Sequence, residues 1–473
     1  MVYNEKRDFC LEAIDLTLQQ YLTDLRGKQV TVIGIGVSNR PLLRLLAGAG
    51  AVVTARDKKT EDQLGDIAPQ LKEWGVKLVL GEQYMENIQG DVVFRTPGLR
   101  PDHPGLLAAA QRGARITSEM EVFFDVCPCP IIAVTGSDGK TTTTSVIAEM
   151  LKAAGKTVWL GGNIGTPLLD QADKMERDHA VVLELSSFQL MSMKKAPSVA
   201  VITNLSPNHL DWHRDFAEYV EAKCNLFKNQ GKDDVLVLNY DNEPSRELAE
   251  KAPGQVRFFS RKSLALPGGV WLKNGEMLDN GEAIMEIGDI RIPGMHNVEN
   301  YMAACAALKG IVSHEVMKQV ARTFNGVEHR LELTRELDGV KYYNDSIASS
   351  PTRTLAGLKC FPADKILLIA GGYDKNIPFD QLGEALPTAV KTVLLCGATA
   401  DKIQAAIQAS PDYREGKPLL VRFDKLDDVV LWARENARAG DIVLFSPACA
   451  SFDQFPNFAV RGRYFKELVQ KLS

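Results

Sequence analysis

The segment IIAVTGSDGKTTTTSVIAEMLKAAG (131–155) runs from an apolar stretch through a glycine-containing loop into an amphipathic stretch. The run IIAVT predicts a buried strand, and the spacing of apolar residues from Val146 to Leu151 predicts a helix with one apolar face. Loop glycines let backbone N–H groups approach phosphate oxygens, and a helix N-terminus adds positive potential. Lys140 is then placed to contact the β- and γ-phosphates, and the Thr141 hydroxyl to bind Mg²⁺. The segment therefore predicts a phosphate-binding loop.

This loop differs from the pattern GxxxxGK[ST] at one position, because Val134 stands where the first glycine is expected. An ordinary turn is the alternative interpretation. We prefer phosphate binding because a strand, two glycines, a Lys-Thr pair and a helix coincide, although phosphate binding does not distinguish a kinase, a hydrolase or a ligase. The predicted phosphate-binding residues are Gly136, Ser137, Asp138, Gly139, Lys140, Thr141 and Thr142.

Strand-like runs alternate with helical patterns along the whole chain, which predicts an α/β fold with parallel sheets. The runs are 29–36, 51–57, 91–98, 131–136, 180–187, 199–206, 234–241, 365–372, 392–397 and 441–448. The dipeptides Asn274-Gly275 and Asn280-Gly281 predict an antiparallel hairpin or meander. We expect three domains: a Rossmann-like N-terminal domain (1–117), a P-loop-type central ATPase domain (118–326) and a Rossmann-like C-terminal domain (327–473).

Composition limits the possible partners and the compartment. The chain has 473 residues, 45% hydrophobic and 24% charged, with a formal net charge of −5, so we expect no nucleic-acid surface. It has no apolar run near the ~20 residues that span a bilayer, so we expect no membrane insertion. Residues 8–26 have the apolar spacing of an amphipathic helix and not of a signal sequence. Eight scattered cysteines without paired metal-ligand spacing indicate reduced thiols and a cytoplasmic protein.

Three residues near strand ends or on helices are candidate metal ligands. Glu184 ends a strand, a position from which a carboxylate reaches the phosphate loop. His209 lies in a loop, where a single histidine is more often structural, and Lys223 lies on a predicted helix, where a lysine is usually solvated. These residues become functional candidates only if the fold brings them to the nucleotide.

The stretch GIGVSN (34–39) follows the first strand and leads into a helix that we expect to begin near Pro41. A helix start of this kind suits a pyrophosphate. Taken alone, the stretch indicates a dinucleotide site, and Asp57 after the second strand fits a ribose contact. An NAD-dependent dehydrogenase is therefore an alternative, but it leaves the central phosphate loop unexplained.

Eight stretches, together with the first βα block, resemble the Mur ligases in order and spacing. They are TGSDGKTTT, GGNIGTPL (161–168), LELSSFQL (183–190), NLSPNHLD (204–211), AKCNLF (222–227), GMHNVENYMAA (294–304), EHR (328–330) and SPACASFDQF (446–455), with the first βα block from Thr31. LSSFQL and SPACASFDQF look like the D-glutamate-adding members. The resemblance implies an ATP-dependent ligase that adds D-glutamate to UDP-N-acetylmuramoyl-L-alanine through an acyl phosphate, for peptidoglycan precursor synthesis.

The resemblance also implies site residues, cofactors and partners. Catalytic roles fall to Lys140, Glu184, His209 and Lys223, and metal binding to Thr141, Glu184, His209 and Lys223. Two Mg²⁺ ions and a carbamylated Lys223 are implied. ATP contacts beyond the phosphate loop are Asn297, Asn300, Arg330 and Asp345. UDP-substrate contacts are Val37, Ser38, Asn39, Asp57, Gly98, Asn163, Ser186 and Gln189. Glutamate contacts are Lys375, Ser451 and Phe458. The partners are small molecules only, and we expect a monomer.

The stretch YYNDSIASSPTRTLAGL (342–358) departs from the family's Asn-Asp-Ser-Lys-Ala-Thr-Asn, with Ile347 in the place of the lysine and Ser349 in that of the threonine. Our hypothesis is that Arg353 supplies the missing cation. The alternative is that Ile347 only packs and no cation is needed.

Other functions stay open at this point. Ligases that add alanine, diaminopimelate or lysine, folylpolyglutamate synthase, and a binding protein without turnover share parts of the pattern. Retention of all four candidate catalytic residues speaks against the last.

Overall fold

The computed structural model describes residues 16–262 and 268–473, and these form two compact units. The first unit contains the described residues up to Ile287 together with Glu299–Val320. The second contains Gly288–Val298 and Ala321–Ser473. The first unit holds two β-sheets and the second holds one.

The first sheet has five parallel strands in the order β3-β2-β1-β4-β5. The strands are β1 (Gln29–Ile33), β2 (Val52–Asp57), β3 (Lys77–Leu80), β4 (Val92–Phe94) and β5 (Arg115–Thr117). The helices are α1 (Leu18–Asp24), α2 (Asn39–Gly48), α3 (Glu61–Leu64), α4 (Ile67–Glu73), α5 (Pro104–Gln111) and α6 (Glu119–Val126). The strand order reverses between β1 and β4, so the loops after them form a crevice of the kind that binds ligands in open α/β sheets.

Two expectations about helices in this region need comment. α2 begins at Asn39, two residues before Pro41, so the prediction of a helix start near Pro41 is confirmed. Proline is tolerated inside the first turn because the N–H groups there have no partner within the helix. Of the helix predicted over 8–26, α1 covers Leu18–Asp24 behind a capping box at Thr17, and residues 8–15 lie outside the described residues.

The second sheet has nine strands in the order β14-β13-β12-β11-β10-β9-β6-β8-β7. They are β6 (Ile131–Thr135), β7 (Val158–Gly162), β8 (Ala180–Glu184), β9 (Val199–Ile202), β10 (Val235–Asn239), β11 (Gln255–Ser260), β12 (Val270–Lys273), β13 (Glu276–Asp279) and β14 (Glu282–Glu286). The helices are α7 (Lys140–Ala153), α8 (Ser187–Leu190), α9 (Phe216–Cys224), α10 (Glu243–Arg246), α11 (Met295–Leu308) and α12 (His314–Thr323).

Two sequence predictions for this sheet are confirmed. β6 lies between β8 and β9 and is buried along its whole length, as its continuous apolar run predicts for a central parallel strand. β12, β13 and β14 form the antiparallel meander, and the four residues of its Asn-Gly turns all have positive φ.

The third sheet has six strands in the order β15-β16-β20-β17-β18-β19, and β15 is antiparallel to its neighbour. The strands are β15 (Glu332–Leu337), β16 (Val340–Asn344), β17 (Ile366–Ala370), β18 (Thr392–Cys396), β19 (Leu419–Phe423) and β20 (Ile442–Phe445). The helices are α13 (Pro351–Leu358), α14 (Asp380–Ala389), α15 (Ala400–Gln408), α16 (Leu426–Asn436) and α17 (Phe458–Gln470).

The α/β fold with Rossmann-like outer domains and a central phosphate-loop domain is confirmed. Each sheet lies within one of the predicted ranges 1–117, 118–326 and 327–473, and the residue limits of the domains stay a prediction. Short 3-10 helices occur at Glu82–Met85, Leu169–Lys174, Glu247–Lys251, Ile287–Asp289 and Ala363–Lys365. Among the described helices, none has the length and apolarity needed to cross a bilayer.

Candidate active site

The phosphate loop joins the buried end of β6 to the start of α7, as predicted. Gly136 and Gly139 have φ of 148° and 79°, a region that favours glycine. The Ser137 hydroxyl lies 2.9 Å from the Tyr219 hydroxyl and donates to the Ser206 carbonyl at 3.0 Å. These contacts hold the loop at the N-terminus of α7, where the Ser137 and Asp138 N–H groups donate to the backbone and side-chain oxygens of Asn204, both at 2.9 Å.

Lys140 folds back over this loop. Its Nζ donates to the carbonyl oxygens of Gly136 at 3.0 Å and Ser137 at 2.9 Å. An ammonium group held against the loop is placed to meet the anionic oxygens of a phosphate bound there.

Glu184 joins the phosphate loop to the neighbouring strand end. It is the last residue of β8 and pairs in register with Val134 of β6, and it is 2% exposed. One carboxylate oxygen accepts from the Thr141 hydroxyl at 2.7 Å, and the other from the Asn163 side-chain amide at 2.7 Å. A carboxylate and a hydroxyl side by side are oxygen ligands of the type that Mg²⁺ prefers.

Lys223 is buried beneath the same loop, with 1% of its surface exposed. Its Nζ donates to the Thr135 hydroxyl at 3.1 Å and to the Gly136 carbonyl at 2.9 Å, and lies 4.7 Å from the centre of the Tyr219 ring. Burial lowers its pKa well below the usual lysine value, the Lys140 charge lowers it further, and Glu184 opposes the shift. A lowered pKa favours the neutral amine, which is the nucleophilic form of lysine.

His209 lies in the loop between β9 and α9 with a left-handed φ of 54°. Partial burial lowers the pKa of its imidazole, Asp211 opposes the shift, and the charges of Lys140 and Lys223 lower it further. The neutral ring is the form that binds metals. The fold thus brings His209 within electrostatic reach of both lysines.

Asn300 of α11 also lies against the phosphate loop. Its side-chain oxygen accepts from the Thr143 hydroxyl at 3.2 Å. A Cβ on Gly139 would lie 2.3 Å from that oxygen, so the position requires glycine. Asn297, one turn earlier in the helix, donates to the Pro293 carbonyl at 2.6 Å.

The predicted UDP-substrate residues form two groups. Val37, Ser38, Asn39, Asp57 and Gly98 belong to the crevice of the first sheet. There the Asn39 amide donates to the Gly34 carbonyl at 2.9 Å, and the Asp57 carboxylate accepts from the Ile35 N–H at 2.7 Å. Val37 is 73% exposed. These contacts shape the loop that would receive a diphosphate.

The other group lies in the second sheet, after β7 and β8. Asn163 contacts Glu184, and Ser186 and Gln189 form the capping box of α8, in which the Gln189 side chain accepts from the Ser186 N–H at 3.0 Å. This group therefore lies beside the candidate metal ligands.

In the second unit, Asp345 is held at the end of β16. Its carboxylate accepts from the Ser446 hydroxyl at 2.7 Å and from the Leu331 N–H at 3.3 Å. Burial raises its pKa to about 7, and these hydrogen bonds, with the charges of Arg330 and Arg353, oppose the rise. Arg353 donates to the Ile347 carbonyl at 3.2 Å, so its guanidinium lies over the loop that lacks the family's lysine.

The three predicted glutamate-binding residues lie on neighbouring loops of the third sheet. Lys375 is exposed in the loop after β17, and Ser451 is buried in the loop after β20. The Tyr373 N–H donates to the Ala450 carbonyl at 2.9 Å and links these two loops. Phe458 begins α17 and is 39% exposed.

The sequence analysis missed a charged cluster beside His209. Arg100, in the loop after β4, forms ion pairs with Asp102 at 2.9 Å and with Glu218 of α9 at 2.8 Å. The signal was present in LRPDH (99–103) and LDWHRD (210–215), two charged stretches that each follow a predicted ligand-binding residue. Nothing in the sequence pairs one stretch with the other.

Comparisons with known proteins agree with this geometry. Residues 134–308 match the Mur ligase middle domain, and residues 329–449 match the Mur ligase, glutamate ligase domain. The chain is 50% identical over 462 residues to the UDP-N-acetylmuramoylalanine–D-glutamate ligase of Acetivibrio thermocellus, which covers 96% of this chain and 99% of that protein. It is 51% identical over 462 residues to the ligase of that name from Ruminiclostridium cellulolyticum, with the same coverage.

Solved structures share the fold at lower identity. The UDP-N-acetylmuramate-alanine ligase of Thermotoga maritima is similar with a TM-score of 0.56 and 19% identity, covering 94% of this chain and 99% of that one. A UDP-N-acetylmuramoyl-L-alanyl-D-glutamate–2,6-diaminopimelate ligase is similar with a TM-score of 0.57 and 18% identity, covering 94% and 93%.

Proposed function

The chain belongs to the Mur ligase family, and on this premise we propose that it joins D-glutamate to UDP-N-acetylmuramoyl-L-alanine at the expense of ATP, in peptidoglycan precursor synthesis. The observation that carries the proposal is the set of contacts around Glu184. Its carboxylate touches Thr141, which follows the phosphate-loop lysine, and Asn163, a predicted substrate contact.

The chemistry begins from a carboxylate that has no leaving group. Transfer of the γ-phosphoryl group of ATP to the alanyl carboxylate gives an acyl phosphate and ADP. The amine of D-glutamate then attacks the acyl carbon and loses a proton, and inorganic phosphate departs from the tetrahedral intermediate. Lys140 and the N–H groups of the phosphate loop supply positive potential where the transferred oxygens would lie.

The donor set fits two Mg²⁺ ions, which would be held by Thr141, Glu184, His209 and carbamylated Lys223 and would neutralise phosphate charge. The oxygens of Thr141 and Glu184 already lie 2.7 Å apart. The neutral Lys223 amine can attack the carbon of CO₂ to form an N–C bond and release a proton, which leaves an anionic carbamate. Burial, and after it the charge of Lys140, lowers the pKa of the Lys223 amine, and a carbamate anion there would be attracted to the Lys140 ammonium group.

We further propose that Lys375 pairs with the side-chain carboxylate of glutamate, that Ser451 donates a hydrogen bond to it, and that Phe458 closes the pocket. Selection of an acidic amino acid follows because an unpaired carboxylate is costly to bury. Arg330 and Asp345 are proposed to contact the nucleotide. Small-molecule partners, a monomeric state and a cytoplasmic location complete the proposal.

The test is ATP-dependent phosphate release with UDP-N-acetylmuramoyl-L-alanine and one amino acid at a time: D-glutamate, L-glutamate, D-alanine, L-lysine or diaminopimelate. We expect release that requires D-glutamate, and none when the UDP substrate is omitted. Release that follows a different amino acid would refute the assigned substrate. Glu184→Gln keeps the shape but removes the anion, so it serves as the inactive control.

A further inference from the structure

The loop that carries His209 spans residues 203–215 and contains no helix or strand. A metal ligand has to be held in place, and the groups that orient it are part of the site. In this loop the Trp212 and His213 N–H groups both donate to the His209 carbonyl, at 3.1 and 2.9 Å. The backbone position of His209 therefore depends on what holds Trp212.

Trp212 is held by the loop that follows β4. Its indole N–H donates to the Gly98 carbonyl at 3.1 Å, and its own carbonyl accepts from Arg100 at 3.0 Å. The Arg100 guanidinium also lies 5.0 Å from the centre of the indole ring. Gly98 thus holds the side chain of Trp212, and Arg100 holds its backbone carbonyl.

Arg100 uses all five of its N–H donors. Two hydrogen bonds reach the Asp102 carboxylate, at 2.9 and 2.9 Å, and two reach the Glu218 carboxylate, at 2.8 and 3.0 Å. The fifth N–H donates to the Trp212 carbonyl at 3.0 Å. Glu218 lies in the first turn of α9, which also carries Lys223. Only a guanidinium offers this number of donors in one plane, so lysine cannot reproduce the arrangement.

Aromatic packing continues the connection to the imidazole of His209. The Phe188 ring packs edge-on against His209 at 4.9 Å and against Trp212 at 4.7 Å, and it stacks on His213 at 5.8 Å. His213 is fully buried and lies 2.9 Å from the Ser187 hydroxyl. A shift of Trp212 would therefore move both the backbone and the ring contacts of His209.

We propose that Arg100 is a positioning residue that couples the UDP-substrate loop at Gly98 to the metal ligand His209. Binding of the UDP substrate fixes the loop after β4, that loop fixes Trp212, and Trp212 fixes His209. The coupling is reciprocal, so Mg²⁺-nucleotide also tightens binding of the UDP substrate. This inference rests on the proposed roles of Gly98 and His209.

The test compares Arg100→Lys with wild type in the full chain. We measure the Mg²⁺ concentration for half-maximal activity, and the affinity for the UDP substrate by calorimetry with and without Mg²⁺ and a non-hydrolysable ATP analogue. We expect the half-maximal Mg²⁺ concentration to rise about tenfold, and the enhancement of UDP-substrate affinity to fall toward one, within the usual range of coupling between sites. The KM for D-glutamate should change less than about twofold, since the amino acid is not part of the coupling.

Arg115→Lys is the matched control, because Arg115 also pairs with a carboxylate, that of Asp125 at 3.2 Å, but has a 55% exposed side chain. We expect it to behave as wild type. Trp212→Phe keeps an aromatic ring but removes the indole N–H and the pyrrole half of the ring system, so it should lose part of the coupling even if Arg100→Lys folds poorly.

Two results would overturn the inference. A lower melting temperature of Arg100→Lys with unchanged Mg²⁺ and UDP-substrate dependence would make Arg100 merely structural. The inference would also be refuted if Mg²⁺-nucleotide did not change the affinity of the wild-type protein for the UDP substrate. The role of His209 is tested separately by His209→Ala, since wild-type Mg²⁺ dependence of that variant would refute the metal site itself, whatever Arg100 does.

Discussion

Replacing Lys223 by methionine separates the stability of the fold from the chemistry of the site. The substitution removes two hydrogen bonds, to the Thr135 hydroxyl and the Gly136 carbonyl, worth about 1–3 kcal/mol together. Neither acceptor is left alone, because Thr135 also bonds the Leu185 carbonyl and Gly136 also accepts from Lys140. This loss of stability is offset because wild type has to bury the Lys223 amine, at a cost that lowers its pKa well below the usual lysine value, and the variant does not.

The sign of that offset follows from proton binding. Below the ordinary lysine pKa of 10.5 the unfolded chain binds a proton at Lys223, whereas the native amine is neutral down to its lowered pKa. The wild type therefore loses unfolding free energy as the pH falls below 10.5, and the Lys223→Met variant does not lose this contribution. We expect the melting temperatures of the two proteins to differ by only a few degrees near pH 7.

Activity should respond very differently. Lys223→Met cannot form the proposed carbamate and would lack that anionic metal ligand, and a metal ion supplies several kcal/mol of charge stabilisation to the transition state. At about 4 kcal/mol the rate of phosphate release falls roughly a thousandfold. The control is Lys228→Met, which replaces an exposed lysine five residues after Lys223 and should keep wild-type activity.

The assay is phosphate release with all substrates, in ordinary buffer and in buffer freed of CO₂. Wild type should lose activity in the second buffer and regain it on addition of bicarbonate, and Lys223→Ala should be partly rescued by acetate, a small carboxylate that fits the vacated space. Activity of Lys223→Met within tenfold of wild type, or no effect of CO₂ on wild type, would refute the reasoning.

Three further predictions concern residues outside the metal ligands. Burial raises the pKa of Glu119 from 4.5 to about 7, so the wild type loses unfolding free energy as the pH rises through this range. The variant Glu119→Gln does not titrate there, and its unfolding free energy relative to wild type should increase by up to about 3 kcal/mol, measured by urea unfolding at pH 4.5 and 8. Gly139→Ala should weaken ATP binding at least tenfold by calorimetry, because the added Cβ would lie 2.3 Å from the Asn300 side-chain oxygen. Gly155→Ala is the control: Gly155 has a similar φ of 82° but open space around it, so this variant should bind ATP normally. Arg353→Ala should raise the KM for ATP or D-glutamate at least several-fold, since its guanidinium covers the Ile347 loop; wild-type kinetics would mean that no cation is needed there.

Strands that appear as continuous apolar runs or that flank Asn-Gly turns were predictable from the sequence, and the other strands were not. β6 and β8 are buried on both faces and therefore appear as continuous apolar runs. β3, β5 and β19 are short and half-exposed, so polar residues interrupt their patterns. The sequence analysis also passed over β7, β11, β15 and β16, whose identity as strands depends on neighbours far along the chain.

Only part of the candidate site was predictable from the sequence. The phosphate loop is contiguous in sequence, so strand, glycines, lysine and helix could be recognised together. The contact between Glu184 and Asn163 depends on the pairing of β7 with β8, and the Arg100–Glu218 pair joins residues 118 positions apart. Long-range pairs of this kind leave no local pattern, and resemblance to a family supplied the roles of Glu184, His209 and Lys223.

The spacing around Glu184 is compatible with the proposed Mg²⁺ site. Adjacent ligands of an octahedral Mg²⁺, each about 2.0–2.1 Å from the ion, lie about 2.9 Å from one another. The Thr141 hydroxyl and the Glu184 carboxylate are 2.7 Å apart, so an ion needs only a small outward movement of the two oxygens and a turn of the hydroxyl proton. The second carboxylate oxygen accepts from the Asn163 side-chain amide at 2.7 Å, a contact that restrains the Glu184 side chain. Because the two hydrogen-bonded oxygens lie nearly where two adjacent Mg²⁺ ligands would lie, little reorganisation would oppose metal binding at the proposed site, as expected for a preorganised catalytic site.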